Sequence, residues 1–241
     1  MGERMMIVVF NIHHLTFIIQ HSSFNILHSL LTIHYSLTNM HTASSSSLII
    51  FVRKPELGKV KTRLAVTMGD AAALKVYELL LTHTYQVAAT MDIPVYVYYA
   101  DGIAENDIWQ GPHFYKKQQQ GDDLGLRMRN AFAETFAQGH QSVVIIGSDC
   151  YALTAAILSE AFIALAQSDA VIGPATDGGY YLLGLNQPLP ELFEGIAWST
   201  HTVAAATMGK LYERNYSVTM LQALTDVDEE KDLPAAIQNQ L

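Results

Sequence analysis

Five of the chain's fourteen Lys and Arg residues, Arg53, Lys54, Lys59, Lys61 and Arg63, fall in the stretch Leu48-Ile-Ile-Phe-Val-Arg-Lys-Pro-Glu-Leu-Gly-Lys-Val-Lys-Thr-Arg-Leu64. The chain as a whole is acidic, with a formal net charge of -9. Cations gathered in one turn of an acidic protein point to a concentrated anion, such as a di- or triphosphate. Gly58 would let backbone amides approach that anion closely. Lys59 and Lys61 supply point charges, while Arg53 and Arg63 offer a planar fork for phosphate oxygens. The turn is not a Walker A loop: Arg53 stands where the earlier glycine belongs, and Val60 replaces the Ser or Thr. The competing reading is a solvated basic loop.

Two acidic tracts complement this turn. Gly147-Ser-Asp-Cys150 closes an apolar run, where Asp149 could hold Mg²⁺ or Mn²⁺, cations that prefer oxygen ligands and shared substrate phosphates. Otherwise Asp149 caps a helix beginning near Thr154. In Gly173-Pro-Ala-Thr-Asp-Gly-Gly-Tyr-Tyr181, Asp177 precedes paired glycines and reads as an ordinary turn, or as a second acid that grips metal or acts as a base. Gln118-Gln-Gln-Gly-Asp-Asp-Leu-Gly-Leu-Arg-Met128 could set Gln120, Gly121 and Asp123 against a base or ribose at a helix N-terminus, or could simply cap that helix. Asp228, in Thr225-Asp-Val-Asp-Glu-Glu-Lys-Asp-Leu233, reads first as a helix cap and second as a metal ligand. His201, after Trp198-Ser-Thr200, is the histidine nearest a plausible late loop and reads as structural rather than catalytic.

The elements that must position these residues alternate. Strands are expected at Leu48–Val52, Pro94–Tyr99, His113–Lys117, Ser142–Gly147, Ala170–Gly173, Gly179–Leu185 and Ser217–Leu221. Helices are expected at Asp70–Thr90, from Gly121–Asp123 to about Gln138, at Thr154–Gln167, at Thr200–Arg214 and from Glu229. The helix over 70–90 rests on the spacing of Leu74, Tyr77, Leu80, Leu81 and Val87. Such alternation implies an α/β domain with a mostly parallel sheet and right-handed crossovers. Ligands of these sheets sit beyond the carboxyl ends of the strands. Arg53-Lys54, Gln118–Asp123, Ser148-Asp149 and Pro174–Gly179 all come directly after strands.

Composition bounds the partners. Half of the 241 residues are hydrophobic and 15% are charged, as in a globular chain with a substantial core. The acidic balance argues against a nucleic-acid partner, which would want a broad basic face. Cys150, the single cysteine, permits no internal disulfide and fits a reducing cytoplasm. Residues 1–43 differ from the rest, holding six of the ten histidines and only Glu3 and Arg4 as charges. Their apolar pieces are too interrupted for a spanning helix or a cleavable leader. Their irregularly spaced histidines are not expected to bind metal. Met40, just before the first convincing strand, marks an alternative start, so 1–43 reads as an atypical extension and 44–241 as the domain.

The ordered set Phe51–Leu64, Gln120–Gly125, Gly147–Cys150, Gly173–Tyr180, Trp198–Thr200 and Asp226–Leu233 resembles a bacterial family of GT-A-like proteins. That family is labelled either arsenosugar-biosynthesis-type glycosyltransferase or domain of unknown function, within the nucleotide-diphospho-sugar transferase superfamily. The basic turn and the Asp-Gly-Gly loop also resemble phospholactate and molybdenum-cofactor guanylyltransferases. The resemblance covers Leu48 to about Leu241. It implies a single Rossmann-like GT-A domain with a mostly parallel mixed sheet flanked by helices. It also implies nucleotide phosphates on the Arg53–Arg63 turn and a metal-binding acid at Asp149. The family usually has proline where this chain has Tyr151, a departure that bears on loop conformation and substrate access.

Three functions are expected in turn. The first is metal-dependent transfer of a sugar from a nucleotide sugar to a small-molecule acceptor. Lys61 and Arg63 would then assist the departing diphosphate, and Asp177 would orient or deprotonate the acceptor. The second is nucleotidyl transfer from an NTP to a phosphorylated metabolite, and the third is nucleotide binding without catalysis.

Overall fold

The computed structural model describes residues 8–12, 15–19 and 45–241. The chain divides into two compact units, Met1–Thr42 and Ala43–Leu241. Within the first, β1 (Val8–Ile12) and β2 (Leu15–Ile19) pair as an antiparallel hairpin. The six histidines of this region lie outside the described residues.

The second unit is an α/β domain built on seven strands: β3 (Ser46–Val52), β4 (Val95–Tyr99), β5 (Phe114–Gln118), β6 (Ser142–Ile146), β7 (Ala170–Pro174), β8 (Tyr180–Leu185) and β9 (Val218–Met220). Their order across the sheet is β5-β4-β3-β6-β8-β7-β9. Every pairing is parallel except those of β8, which runs antiparallel between β6 and β7. The helices are α1 (Thr62–Met68), α2 (Asp70–Ala89), α3 (Leu124–Ala137), α4 (Ala155–Leu165), α5 (Val203–Glu213) and the short α6 (Ala235–Gln238). The expected Rossmann-like class, a mostly parallel mixed sheet flanked by helices, is what the chain adopts. Among the described residues no helix is long and apolar enough to cross a membrane.

Side-chain alternation explains why the inner strands read as unbroken apolar runs: both faces are covered. Leu48, Ile50, Val52, Val95, Val97, Val144 and Ile146 point to one face, where they meet Tyr77 and Leu81 of α2 and Leu158 of α4. Ile49, Tyr96, Tyr98, Val143 and Ile145 point to the other, against Met128 and Phe132 of α3 and Leu211 of α5. A smaller cluster joins Leu64 of α1 and Ala73, Val76 and Leu80 of α2 to Val227, Leu233 and Ile237. This third cluster fixes the late acidic tract.

Two local readings change. The basic turn runs into α1, where the sequence pattern shows only a loop. This seven-residue helix has one buried residue, Leu64, and hence no periodicity to detect. The helix expected from Glu229 is instead a 3-10 turn, Glu230–Asp232, with α6 beginning after Pro234. Glu229 and Asp232 cap that turn reciprocally, so the cap is one residue beyond Asp228.

Candidate functional site

Parallel pairing of β3 with β6 brings the carboxyl ends of these strands side by side. The basic turn after Val52 and the Ser148-Asp149 segment after Ile146 therefore share one edge. β7 ends there too, and its hairpin to β8 carries Asp177. The tract Leu224–Asp228 completes the set by crossing the same edge. Thr176 N donates to Leu224 O at 2.9 Å, Leu224 N to Pro174 O at 3.0 Å, and Val227 N to Asp149 O at 2.9 Å. Val227, 1% exposed, is anchored in the third core cluster, and its neighbours Asp226 and Asp228 line the cleft.

The cleft has a volume of about 660 Å³, within the range of small-molecule sites. Arg53, Lys59, Lys61, Arg63, Asp149, Asp177, Asp226 and Asp228 all line it. Lys61 takes the left-handed backbone conformation, φ 48°, at the start of α1. Its ammonium lies 2.8 Å from Asp149 Oδ1 and 3.2 Å from Asp228 Oδ1, with its side chain only 6% exposed. Burial works against this charge, yet Asp149 and then Asp228 hold the lysine pKa above its ordinary value. Arg63, largely exposed, donates from Nη1 to Asp228 Oδ2 at 3.3 Å. Arg53 is held by its backbone. Tyr77 Oη accepts from Arg53 N at 2.8 Å and donates to Arg53 O at 3.1 Å, and burial raises this phenol to about 12.

Acids outnumber the cations that touch them. Burial first, then Asp149, Asp177 and Asp228, push Asp226 up to about 7, with Lys61 opposing. Among the described residues no three His, Cys, Asp or Glu side chains form a ready metal cage. The donor set nevertheless suits Mg²⁺ or Mn²⁺, which take one or two carboxylates and complete their shell with water and substrate phosphate. Asp149 and Asp228 share one cation, the Lys61 ammonium.

Asp177 accepts from Gly179 N at 2.8 Å through Oδ1. Its loop is seated tightly: Gly178 has φ 91°, and a Cβ there would lie 2.0 Å from His201 O. His201 thus enters through its backbone.

Other expected residues are not among those that line the cleft. Asp123 caps α3, accepting from Leu126 N at 2.8 Å, while the carbonyls of Gln120 and Gly121 accept from Asn130 and Arg127. None of these three is among the cleft-lining residues, nor are Lys54 and Gly58. The capped-helix alternative describes Gln120–Asp123 in this structure, because a short polar side chain at that position satisfies orphan helix amides. Tyr151 also turns away, packing on His83 with ring centroids 4.5 Å apart and joining the third core cluster.

Several cleft residues are not among the candidates that the sequence singles out for chemistry. Tyr77 is hidden among the apolar positions of α2. Asp226 reads as one acid among many until burial distinguishes it. Trp198, Tyr180, Met128 and Leu124 look like core positions and form an apolar wall of the cleft.

The chain matches, over residues 81–200, the family described as uncharacterized protein conserved in bacteria (DUF2064). A crystal structure from Desulfovibrio desulfuricans G20, described only as a candidate nucleotide-diphospho-sugar transferase, is 35% identical, with a TM-score of 0.73. That match covers 77% of this chain and 83% of the other. The inositol-1-phosphate CTP transferase of T. maritima shares the fold at 13% identity and a TM-score of 0.53, over 82% of this chain and 94% of its own. So does the 4-diphosphocytidyl-2C-methyl-D-erythritol synthase of Anaerococcus prevotii DSM 20548, at 11% identity and 0.52, over 80% and 95%. No curated protein matches the chain.

Proposed function

The chain belongs to the DUF2064 family, and from that premise we propose that it is a metal-dependent glycosyltransferase acting on a nucleotide-activated sugar and a small-molecule acceptor. The observation that carries this reading is the placement of Lys61 between Asp149 and Asp228, with Arg63 on the same carboxylate, in one cleft. Cations and acids interleaved at the carboxyl edge of the sheet suit a ligand carrying both phosphate and a divalent cation.

Arg53, Lys61 and Arg63 would bind the nucleotide phosphates, and Asp149 with Asp228 would hold Mg²⁺ or Mn²⁺. When bound, that cation supplies charge neutralisation on the diphosphate. Lys61, whose ammonium lies between the two carboxylates, would offer its charge to the departing phosphate oxygens, where charge develops as the glycosidic bond breaks. Asp177, with one oxygen held by Gly179 N, keeps the other to orient the acceptor hydroxyl and accept its proton.

The test is product analysis with nucleotide sugars, an acceptor panel and Mg²⁺ or Mn²⁺. Release of nucleoside diphosphate with a glycosylated acceptor supports glycosyl transfer. The Lys61–Arg63 pair would serve a departing pyrophosphate equally well, and the fold is shared with two proteins named for cytidylyl chemistry. Nucleotidyl transfer is therefore the second reading, and pyrophosphate release from NTP would select it. Tight nucleotide binding without turnover, unchanged in Asp149→Ala, would reject both.

A further inference from the structure

The cleft has two chemically different halves. Beside the charged half stands a wall made of Phe51, Leu124, Met128, Tyr180, Trp198 and Val203. We infer that this wall seats a hydrophobic ring of the acceptor, so that the acceptor joins a reactive hydroxyl to an aromatic or alicyclic body. The inference rests on the transferase reading above and narrows its acceptor.

The wall is built rather than incidental. The Trp198 indole lies directly on the backbone of Gly125, in the first turn of α3: a Cβ at Gly125 would come within 2.2 Å of the indole nitrogen. Phe193 stacks on Trp198, with ring centroids 6.4 Å apart and planes 20° apart. Leu124, the first residue of α3, is 41% exposed, and Met128 lies one turn further along. The wall is also tied to the proposed base. Ala204 N donates to Gly178 O at 3.0 Å, and Gly178 abuts the His201 carbonyl, so the Asp177 loop and the Trp198–Val203 segment form one packed unit. A ring held on the indole is thereby held in a fixed relation to Asp177.

The wall's chemistry selects against a polyol. The Tyr180 hydroxyl is directed at Met128 Sδ, 3.7 Å away. Thr200 Oγ1 is already bonded to Ala197 O at 2.7 Å and to Thr202 Oγ1 at 2.8 Å. A sugar hydroxyl laid on the Leu124, Met128 and Val203 side chains would lose water without finding a strong new partner on them. A ring face instead gains contact with polarisable sulfur and indole surface.

The chain's two tryptophans give a direct readout, because Trp109 is 2% exposed in the opposite core cluster and reports little. The full chain is titrated with 2-phenylethanol and with glycerol while tryptophan emission is recorded. In parallel, calorimetry measures UDP, GDP, CDP and ADP with Mg²⁺. Saturable change with 2-phenylethanol, none with glycerol at the same concentration, and at least fivefold weaker binding in Leu124→Ser are expected. Leu124→Ser replaces an exposed side chain and keeps the fold testable, and Trp198→Ala should abolish the emission change. Equal response to glycerol, no saturation, or unchanged binding in Leu124→Ser would overturn the inference. So would a Leu124→Ser effect on nucleoside diphosphate instead of 2-phenylethanol, which would assign the wall to the base. If none of the diphosphates binds the wild-type chain, the transferase reading falls. If one binds and 2-phenylethanol does not, only the acceptor inference falls.

Discussion

Lys61 Nζ sits 2.8 Å from Asp149 Oδ1, joining the turn after β3 to the loop after β6. The contact exists because those strands are parallel neighbours, so residues far apart in sequence emerge at the same edge. Asp228 completes a three-member arrangement at 3.2 Å, in which one ammonium holds two carboxylates that would otherwise repel.

Lys61→Ala and Arg63→Ala should each weaken nucleotide binding by about 1–3 kcal/mol, measured by calorimetry. Their effects on the unliganded protein should separate. Lys61 is buried between two acids, so its loss should lower the melting temperature. Arg63 is 70% exposed, and its loss should change stability by less than about 0.5 kcal/mol. Unchanged affinity in either variant would remove that residue from the site.

Asp149→Asn should abolish stabilisation by Mg²⁺ or Mn²⁺ in a thermal-shift assay run with nucleotide, since a ligand bound to the native state raises apparent stability. A wild-type shift on adding metal that persists in the variant would place the cation elsewhere.

The pH profile of the metal-free protein should carry the signature of Asp226. Its native pKa, raised to about 7 by burial and neighbouring acids, exceeds the ordinary carboxylate value of 3.8. Between those values the native state binds the additional proton, so this group's contribution to stability is full below about pH 4 and lost as pH rises through 7. Asp226→Asn should flatten that decline, by a few kcal/mol at pH 8, in denaturant titrations across pH. A decline of the same size in the variant would assign it to other groups.

Gly178→Ala should lower the unfolding free energy by about 3 kcal/mol or more. The new Cβ would meet a backbone carbonyl, which cannot swing aside as a side chain can, and the residue would keep a positive φ. Thermal unfolding compared with Gly69→Ala, where φ is 81° but nothing lies within 4 Å, isolates the steric part.

Cys150 should resist alkylation by iodoacetamide at pH 8 while the chain is folded, and react on denaturation. Its thiol is 5% exposed and pushed up to about 12, first by burial and then by Asp226. Rapid labelling of the native protein, detected by mass spectrometry, would contradict the packed loop after β6.

Much of the fold is legible in the sequence because its signals are local. Ser142–Gly147 reads as a buried strand from one continuous apolar run, and α2 reads as a helix from the spacing of Leu74, Tyr77, Leu80, Leu81 and Val87. Strand ends then tell where the basic turn, Asp149 and Asp177 cluster, since a parallel sheet gathers its carboxyl ends on one edge. Asp123 is ambiguous for a physical reason: the side chain that caps a helix is also the one that could touch a ribose.

What the sequence by itself determined is the alternation of strands and helices and the residue types placed after each strand, both consequences of side-chain period and turn chemistry. Only the tertiary structure decided their partners. Burial of Val227 swings Asp226 and Asp228 beside Asp149, Lys61 becomes the bridge between two acids rather than a free cation, and Trp198 reaches the cleft because Gly125 leaves room for its ring. Each of these depends on long-range packing, which no window along the chain contains.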